Sequence, residues 1–258
     1  VRELHGKPKK IFLGDGNAFG LKTEKLYEIL DLIAYYFPEC EGINMDATVT
    51  SVLHKSQEEL EMLARKKVKH LYLGIESGLD DVLKFMKKDH DLAQAIDRLH
   101  EAGLIYDAHI MTGVAGKGRG MENAEALAQF LNRTNPAHVV NFSMFLHKEV
   151  PLYQDIRQGT FVPADELETI REEYHLIERI APEKAGANIL YDGFHDFIHV
   201  RVRGHLPGDK EKMLAKLNGI IQEYEGKEPV YSFVQGKCPD LEYCDDGKAV
   251  WDMDRKTS

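Results

Sequence analysis

HLYLGIES, residues 70–77, is a short apolar run that turns polar in its last two residues. It reads as a buried β-strand whose carboxyl end delivers Glu76 and Ser77 to a loop. The run before it, GINMDATV (residues 42–49), has the same character, and so does IFLGDGNA (residues 11–18), read as a buried strand ending in a glycine-rich turn. Between these two, Leu26, Ile29, Leu30, Ile33 and Phe37 recur at helical spacing and form one apolar face. The next helix begins at SQEE, where Ser56 and Glu59 have the spacing of a capping box. Downstream of residue 77, helical stretches run through Phe85 and through Ile96 and Leu99, with Gly103 as a C-terminal stop. YDAHIMTGVAG (residues 106–116) is a fourth strand, residues 124–131 its helix, and HVVNFSMFL (residues 138–146) a fifth strand.

Alternation of strand and helix at this rhythm predicts parallel strands joined by right-handed crossovers, an α/β fold. Asp15, Asp46, Glu76, His109 and Asn141 stand near the carboxyl ends of successive strands at intervals of 30 to 33 residues. That spacing predicts one shared rim, at the end of the sheet where such folds bind ligands. Beyond the fifth strand the pattern loosens into a loop (151–163), a charged helix (166–180), a mixed segment and a helix near Asp209. The tail from Lys227, rich in Gly, Pro and Asp, receives no assignment. The expected division is a barrel core over residues 1–150 and a C-terminal helical and mixed extension over 151–258, packed on the barrel.

The chain has 258 residues, 43% hydrophobic and 29% charged, with a formal net charge of -10. That charge indicates no nucleic-acid or anionic-membrane partner, although it is compatible with a locally basic cleft. No apolar run approaches the roughly 20 residues of a membrane span, and no secretory signal opens the sequence. Three scattered cysteines favour a reducing compartment, so a cytoplasmic location is expected. CPDLEYC, residues 238–244, departs from zinc-type spacing. His195 and His199 lie in HDFIHVRVR, which alternates like a strand, so ordinary polar positions are expected for both and no metal role is assigned.

IFLGDGNAFGL, KSQEEL, LYLGIESGLDDVLKFMKK, MTGVAGKG and GHLPGDKEKML, in this order over residues 10–212, resemble the radical S-adenosylmethionine (radical SAM) enzymes. The nearest resemblance is to a bacterial and archaeal group of radical SAM or Fe-S oxidoreductases. The resemblance implies a partial parallel (β/α)6 TIM-like barrel with its first βα unit missing, the five strands above being the second to sixth. It places the amino group of S-adenosylmethionine at Gly14, Asp15, Gly16 and Asn17, where small residues let backbone approach a ligand. It places the methionine or ribose part at Glu76 and Ser77, with Asp46 and His109 on the same rim. Met111, Gly113 and Val114 would meet the adenine, with Phe145 and Leu146 at its edge, and Lys117 could face a carboxylate or phosphate. Read without the resemblance, GDGN is a tight turn, Ser77 a helix cap, Glu76 a partner for a nearby Lys or Arg, and Phe145 and Leu146 plain core.

In the resembling family, three thiolates of a CxxxCxxC loop hold a 4Fe-4S cluster, because soft sulfur ligands suit such clusters. No CxxxCxxC occurs here, and thirteen residues precede Gly14. The expectation is a fragment that begins after the cluster loop and is inactive alone. Its intact parent would use a low-potential electron donor to cleave S-adenosylmethionine to a 5′-deoxyadenosyl radical that acts on an unknown substrate. The alternatives are a non-catalytic S-adenosylmethionine or nucleoside-binding module, and a barrel enzyme with a divalent metal on Asp15, Asp46, Glu76 and His109. The strand at residues 11–13 would then present an open edge.

Overall fold

The computed structural model describes residues 6–14, 16–88 and 91–232. Seven strands form one sheet in sequential order: β1 (Lys10–Leu13), β2 (Gly42–Ala47), β3 (Val68–Glu76), β4 (Ile105–Thr112), β5 (His138–Ser143), β6 (Ile189–His195) and β7 (Val200–Leu206). Strands β1 to β6 pair in parallel, and β7 returns antiparallel beside β6. The sheet curls into a half-barrel with helices on its convex side. It has the parallel α/β order that the strand–helix rhythm predicts and the partial TIM-like barrel form that the family resemblance implies, extended by two strands from a region whose sequence pattern is mixed.

Helix α1 (Thr23–Tyr36) crosses from β1 to β2, and α2 (Val49–Leu53) and α3 (Gln57–Arg65) cross from β2 to β3. Helices α4 (Asp80–Phe85) and α5 (Leu92–Glu101) lead to β4, and α6 (Gly120–Thr134) leads to β5. Helices α7 (Leu152–Gln158) and α8 (Glu166–Arg179) precede β6, and α9 (Lys210–Tyr224) follows β7. The capping box expected at Ser56 and Glu59 opens α3, each side chain bonding the other residue's backbone N–H. Thr48 and Ser51 form a second one at α2. Gly103, at φ 76°, takes the left-handed turn that ends the α5 segment.

Alternate residues of a strand face opposite sides of a sheet. On β3, Leu71, Leu73 and Ile75 are buried in one core with Leu26 and Leu30 of α1, Leu60 and Leu63 of α3, and Leu127 and Leu131 of α6. His70, Tyr72 and Glu76 take the other, concave side. Strand β1 corrects the expectation of a buried strand: its residues alternate between exposed and half-buried, and Phe12 is 51% exposed. Its one partner among the described residues is β2, so its outer edge is open, as is that of β7. Amide protection follows from this arrangement. In a hydrogen-exchange measurement, the β1 amides that face away from β2 should exchange orders of magnitude faster than those of Leu71 and Leu73.

Candidate functional site

At the carboxyl ends of the first three strands the backbone leaves regular geometry. The β3–β4 register shifts between Gly74 and Glu76, a bulge that re-aims the residues at the end of the strand. Glu76 adopts φ 62°, a left-handed conformation that a side-chain-bearing residue takes at a cost. Its carboxylate accepts a hydrogen bond from Lys88 Nζ. A Cβ on Gly74 would fall 2.7 Å from Glu76 Oε1 and 3.0 Å from Lys88 Nζ, so the ion pair lies directly across that glycine. Asp46 is second from last on β2, level with Tyr72, with Oδ2 3.9 Å from where a Cβ on Gly14 would stand. Asn17 Oδ1 accepts from the Thr48 backbone N–H at 3.3 Å, fastening the loop after β1 to the end of β2. Gly16 takes φ 76° with open space around it. Gly14, Gly16, Asn17, Asp46 and Glu76 therefore share one rim; Asp15 lies outside the described residues, as do Cys238 and Cys244.

Other expected site residues turn away from this rim. Ser77 is buried; its Oγ donates to Asn123 Oδ1 at 2.7 Å and accepts from the Leu79 N–H at 3.1 Å. The Gly113 N–H donates to Glu172 Oε2 at 2.8 Å, and a Cβ there would lie 2.8 Å from Thr169 Cγ2 on α8. Asn141 corrects the five-residue rim. It points behind the sheet, accepting from the Thr112 N–H at 3.2 Å and donating to Glu173 Oε1 at 3.0 Å. Counting residues between strands located its strand but not its face.

Val114 and Leu146 are buried in a second apolar cluster with Val82, Ala115 and Met144, against which Met111 packs; Phe145 is 53% exposed. Val114, Ala115 and Gly116 also line a cleft of about 470 Å³. Phe85 and Phe161 stand in that cleft with their ring planes parallel and centroids 6.2 Å apart. Lys117 and Arg119 lie at its margin, and Arg119 is bonded to Asp81 and Glu122, which raise its pKa.

The concave face carries a group that the sequence reading missed. Ring contacts run from Phe12 to Tyr72 (5.5 Å between centroids), Tyr72 to His109 (5.2 Å), His109 to Phe142 (5.9 Å) and Phe142 to Phe194 (5.6 Å, stacked). The Arg201 guanidinium ends the ladder, 4.7 Å from the Phe194 ring centroid. Tyr72 Oη contacts His138 Nδ1 at 3.3 Å, and His138 Nε2 contacts Asp192 Oδ2 at 3.2 Å. Asp192 also pairs with Arg201 at 2.9 Å and Arg203 at 3.5 Å. Burial, then Asp107, Asp192 and Asp46, push the Tyr72 hydroxyl up to about 12. His109 sits below the rim, opposite Gly74, and burial lowers its pKa. No signal within a single segment marks this ladder, because its members come from five different strands.

The family model of the radical SAM superfamily matches residues 1–131. The chain belongs to the radical SAM superfamily. No curated protein matches it. Among solved structures it is similar to the archaeal Methanocaldococcus infernus Elp3 with an N-terminal deletion, at 17% identity and a TM-score of 0.58. That match covers 83% of this chain and 54% of the archaeal one. Coproporphyrinogen III oxidase (HemN) from Escherichia coli, a radical SAM enzyme, matches at 15% identity and a TM-score of 0.46, over 78% of this chain and 53% of its own. Methylornithine synthase (PylB) matches at 15% identity and a TM-score of 0.47, over 83% and 68%. The chain thus spans about half the length of the first two structures it matches, and the likeness to Elp3 is one of fold.

Family membership implies S-adenosylmethionine and a 4Fe-4S cluster, and the residues present answer differently to the two. Among the described residues Cys40 is the one cysteine; it is buried just before β2, at the opposite end of the sheet from the rim, with Sγ 3.4 Å from the Gly42 carbonyl oxygen. A lone thiol so placed does not fit a three-thiolate cluster. Nor do the described residues contain a group of three or more His, Cys, Asp or Glu placed to hold a metal ion. The rim fits S-adenosylmethionine better, because Asp46, Glu76 and Asn17 bring acceptor oxygens to a ligand with cationic ammonium and sulfonium groups.

In this radical SAM chain α8 is tied to the sheet by a buried polar network. His195 lies in a strand as its surroundings suggest, but corrects the expectation of an ordinary polar position. It ends β6, a short 3-10 turn (Asp196–Ile198) separates it from His199, and it is fully buried. Its Nδ1 contacts Glu166 Oε2 at 3.1 Å and its Nε2 contacts Glu173 Oε2 at 3.0 Å. Burial opposes the imidazolium, but the two glutamates outweigh it and raise the pKa to about 10. Burial raises Glu172 to about 7 against the hydrogen bonds from Asn123 and Gly113. At Gly193 a Cβ would stand 1.8 Å from Glu173 Oε1, so only glycine lets that carboxyl reach the strand.

Both raised groups bind protons more tightly folded than unfolded, so both contribute stability that is lost as pH rises. For Glu172 the loss runs from its ordinary value near 4.5 to about 7 and amounts to about 3 kcal/mol. For His195 it runs from about 6.5 to about 10. Urea unfolding measured from pH 4.5 to 7 should show Glu172→Gln losing less stability than the unsubstituted chain as pH rises, by about 3 kcal/mol over that range.

Proposed function

We propose that this chain is the S-adenosylmethionine-binding part of a radical SAM enzyme. The observation that carries the reading is the backbone at Glu76. A left-handed side-chain-bearing residue costs on the order of 1–3 kcal/mol, and such strain concentrates at ligand sites. A single bond to Lys88 could be made without it; what the bulge and φ 62° add is a carboxylate turned over the end of β3, across Gly74. The turn Gly14, Asp15, Gly16 and Asn17 would hold the amino group, with Asp46 and Glu76 facing the cationic atoms and His109 below them. The adenine would lie in the cleft beside Val114, with Met111, Phe145 and Leu146 along it. Ser77 and Gly113 would support this site from behind, Ser77 through Asn123 and Gly113 through α8.

Reductive cleavage of S-adenosylmethionine to a 5′-deoxyadenosyl radical is the chemistry that a cluster on three thiolates supplies in this family. This sequence has no CxxxCxxC, so that chemistry, its low-potential electron donor and its unknown substrate are assigned to a parent with such a loop. Binding alone is assigned to this chain, with residues 1–150 as the cofactor part and 151–258 as the extension. Among the described residues Asp46, Glu76 and His109 form no metal-ligand set, and Asp15 lies outside them, so no divalent metal is assigned.

Calorimetric titration of the chain with S-adenosylmethionine should give one site. Glu76→Gln and Asp46→Asn should each weaken it about tenfold, the loss expected for one charged hydrogen bond. With dithionite added, no 5′-deoxyadenosine should appear. Absence of binding would end the reading, and release of 5′-deoxyadenosine would end the assignment of the chain as inactive.

A further inference from the structure

One buried carboxyl group tethers two loops. Glu172 of α8 is 1% exposed, and its Oε2 accepts from the Gly113 N–H at 2.8 Å, in the loop after β4. Its Oε1 accepts from Asn123 Nδ2 of α6 at 2.7 Å. Asn123 Oδ1 in turn accepts from the Ser77 hydroxyl at 2.7 Å and the Gly78 N–H at 3.1 Å, in the loop after β3. Helix α6 opens on Gly120, where a Cβ would stand 2.9 Å from Glu172 Oε2, so a glycine makes room for the carboxyl.

The donors around Glu172 select its charge. A backbone N–H can only donate, so Gly78 fixes which end of the Asn123 amide is oxygen and leaves the Asn123 NH2 facing Glu172. Both carboxyl oxygens therefore face donors, an arrangement complete for the anion. In the acid one oxygen becomes a hydroxyl, a poorer acceptor with a proton of its own to place, and one of the two tethers weakens. Burial pulls the other way and raises the pKa to about 7, so the group changes charge under ordinary conditions. Glu168, one turn back on α8, opposes the ionisation, and His195 of β6 favours it. From α6 and the β4 loop Glu172 faces the uncharged Asn123 and Gly113, and burial keeps the Tyr191 hydroxyl of β6 neutral.

We propose that Glu172 is a positioning residue that sets cofactor affinity by its charge: as a carboxylate it holds the loops after β3 and β4 in the binding arrangement, and as an acid it releases one of them. The inference rests on the cofactor reading above, because the tethered Ser77 and Gly113 are next in sequence to Glu76 and Val114. By linkage, binding of S-adenosylmethionine then expels the proton that Glu172 carries below pH 7.

The full chain is titrated with S-adenosylmethionine by calorimetry from pH 6 to 8, beside Glu172→Gln, which keeps the shape and turns an amide nitrogen toward one of the two donors. Over that range the affinity of the unsubstituted chain should rise about tenfold more than that of the variant, the effect of one charged hydrogen bond. Groups that titrate on the cofactor or elsewhere on the rim, His109 included, act in both proteins and cancel in the comparison. At pH 6.5, in buffers of different ionisation enthalpy, the unsubstituted chain should release more protons on binding than the variant. An infrared difference spectrum of the unsubstituted chain at the same pH should lose a protonated-carboxyl band when S-adenosylmethionine is added, a readout that needs no substitution. Equal pH dependence in the two proteins, or a carboxyl band that survives binding, overturns the proposal and leaves the cofactor reading standing. Absence of binding at every pH ends both.

Discussion

Alternate side chains of a strand leave opposite faces of its sheet, and in this molecule helices cover one face only. Most of what distinguishes the structure follows from that division. The convex side chains, such as Leu71, Leu73 and Ile75, meet α1, α3 and α6 and form the core. The concave side chains are released from that duty and carry rings and charges. Parallel pairing then places Tyr72 against Asp107, His109 against Val140 and Phe142 against Phe194, so that groups distant in sequence become neighbours across a few ångströms. The bulge at Gly74 and Glu76 breaks this pattern at the strand end. Gly74 pairs with His109 but Glu76 with Ile110, two steps along β3 against one along β4.

The convex side is not purely apolar. Between the sheet and α8 lie two buried hydrogen-bonded groups, Asn123 with Glu172, and His195 with Glu166 and Glu173, the latter also bonded to Asn141. Burying this many carboxyl groups is costly unless protons and donors are shared among them. A protonated His195 between two glutamates, and a Glu172 that holds its proton to about pH 7, are how the network limits that cost. The Asn123–Glu172 pair reaches the backs of the two sequence motifs nearest the rim, through Asn123 to Ser77 and Gly78 and through Glu172 to Gly113.

Much of the barrel is legible in the sequence because hydrophobic periodicity changes between strand and helix eight times over residues 11–146. The capping box at Ser56 and the turn at Gly103 are local signals and are read locally. Strands β6 and β7 were less legible: YDGFH and VRVRGH mix polar and apolar residues, since one face of β6 meets a buried acid network and β7 is an exposed edge. His195 looks like a surface histidine until Glu166 and Glu173, more than twenty residues upstream, close on it. Asn141 was set on the rim by spacing, which ignores the face on which a residue emerges. The aromatic ladder was missed for the opposite reason. Each member is unremarkable in its own segment, and the pattern exists only across strands.

The described sheet stops at β1 on one side and β7 on the other, and among the described residues neither edge has a further partner. A closed barrel admits only what can pass down its bore. An open trough sets no such limit on girth: a reactive group can be laid in sideways while the bulk of its carrier stays outside. Among the described residues the concave floor is therefore reachable across both edges as well as from its ends.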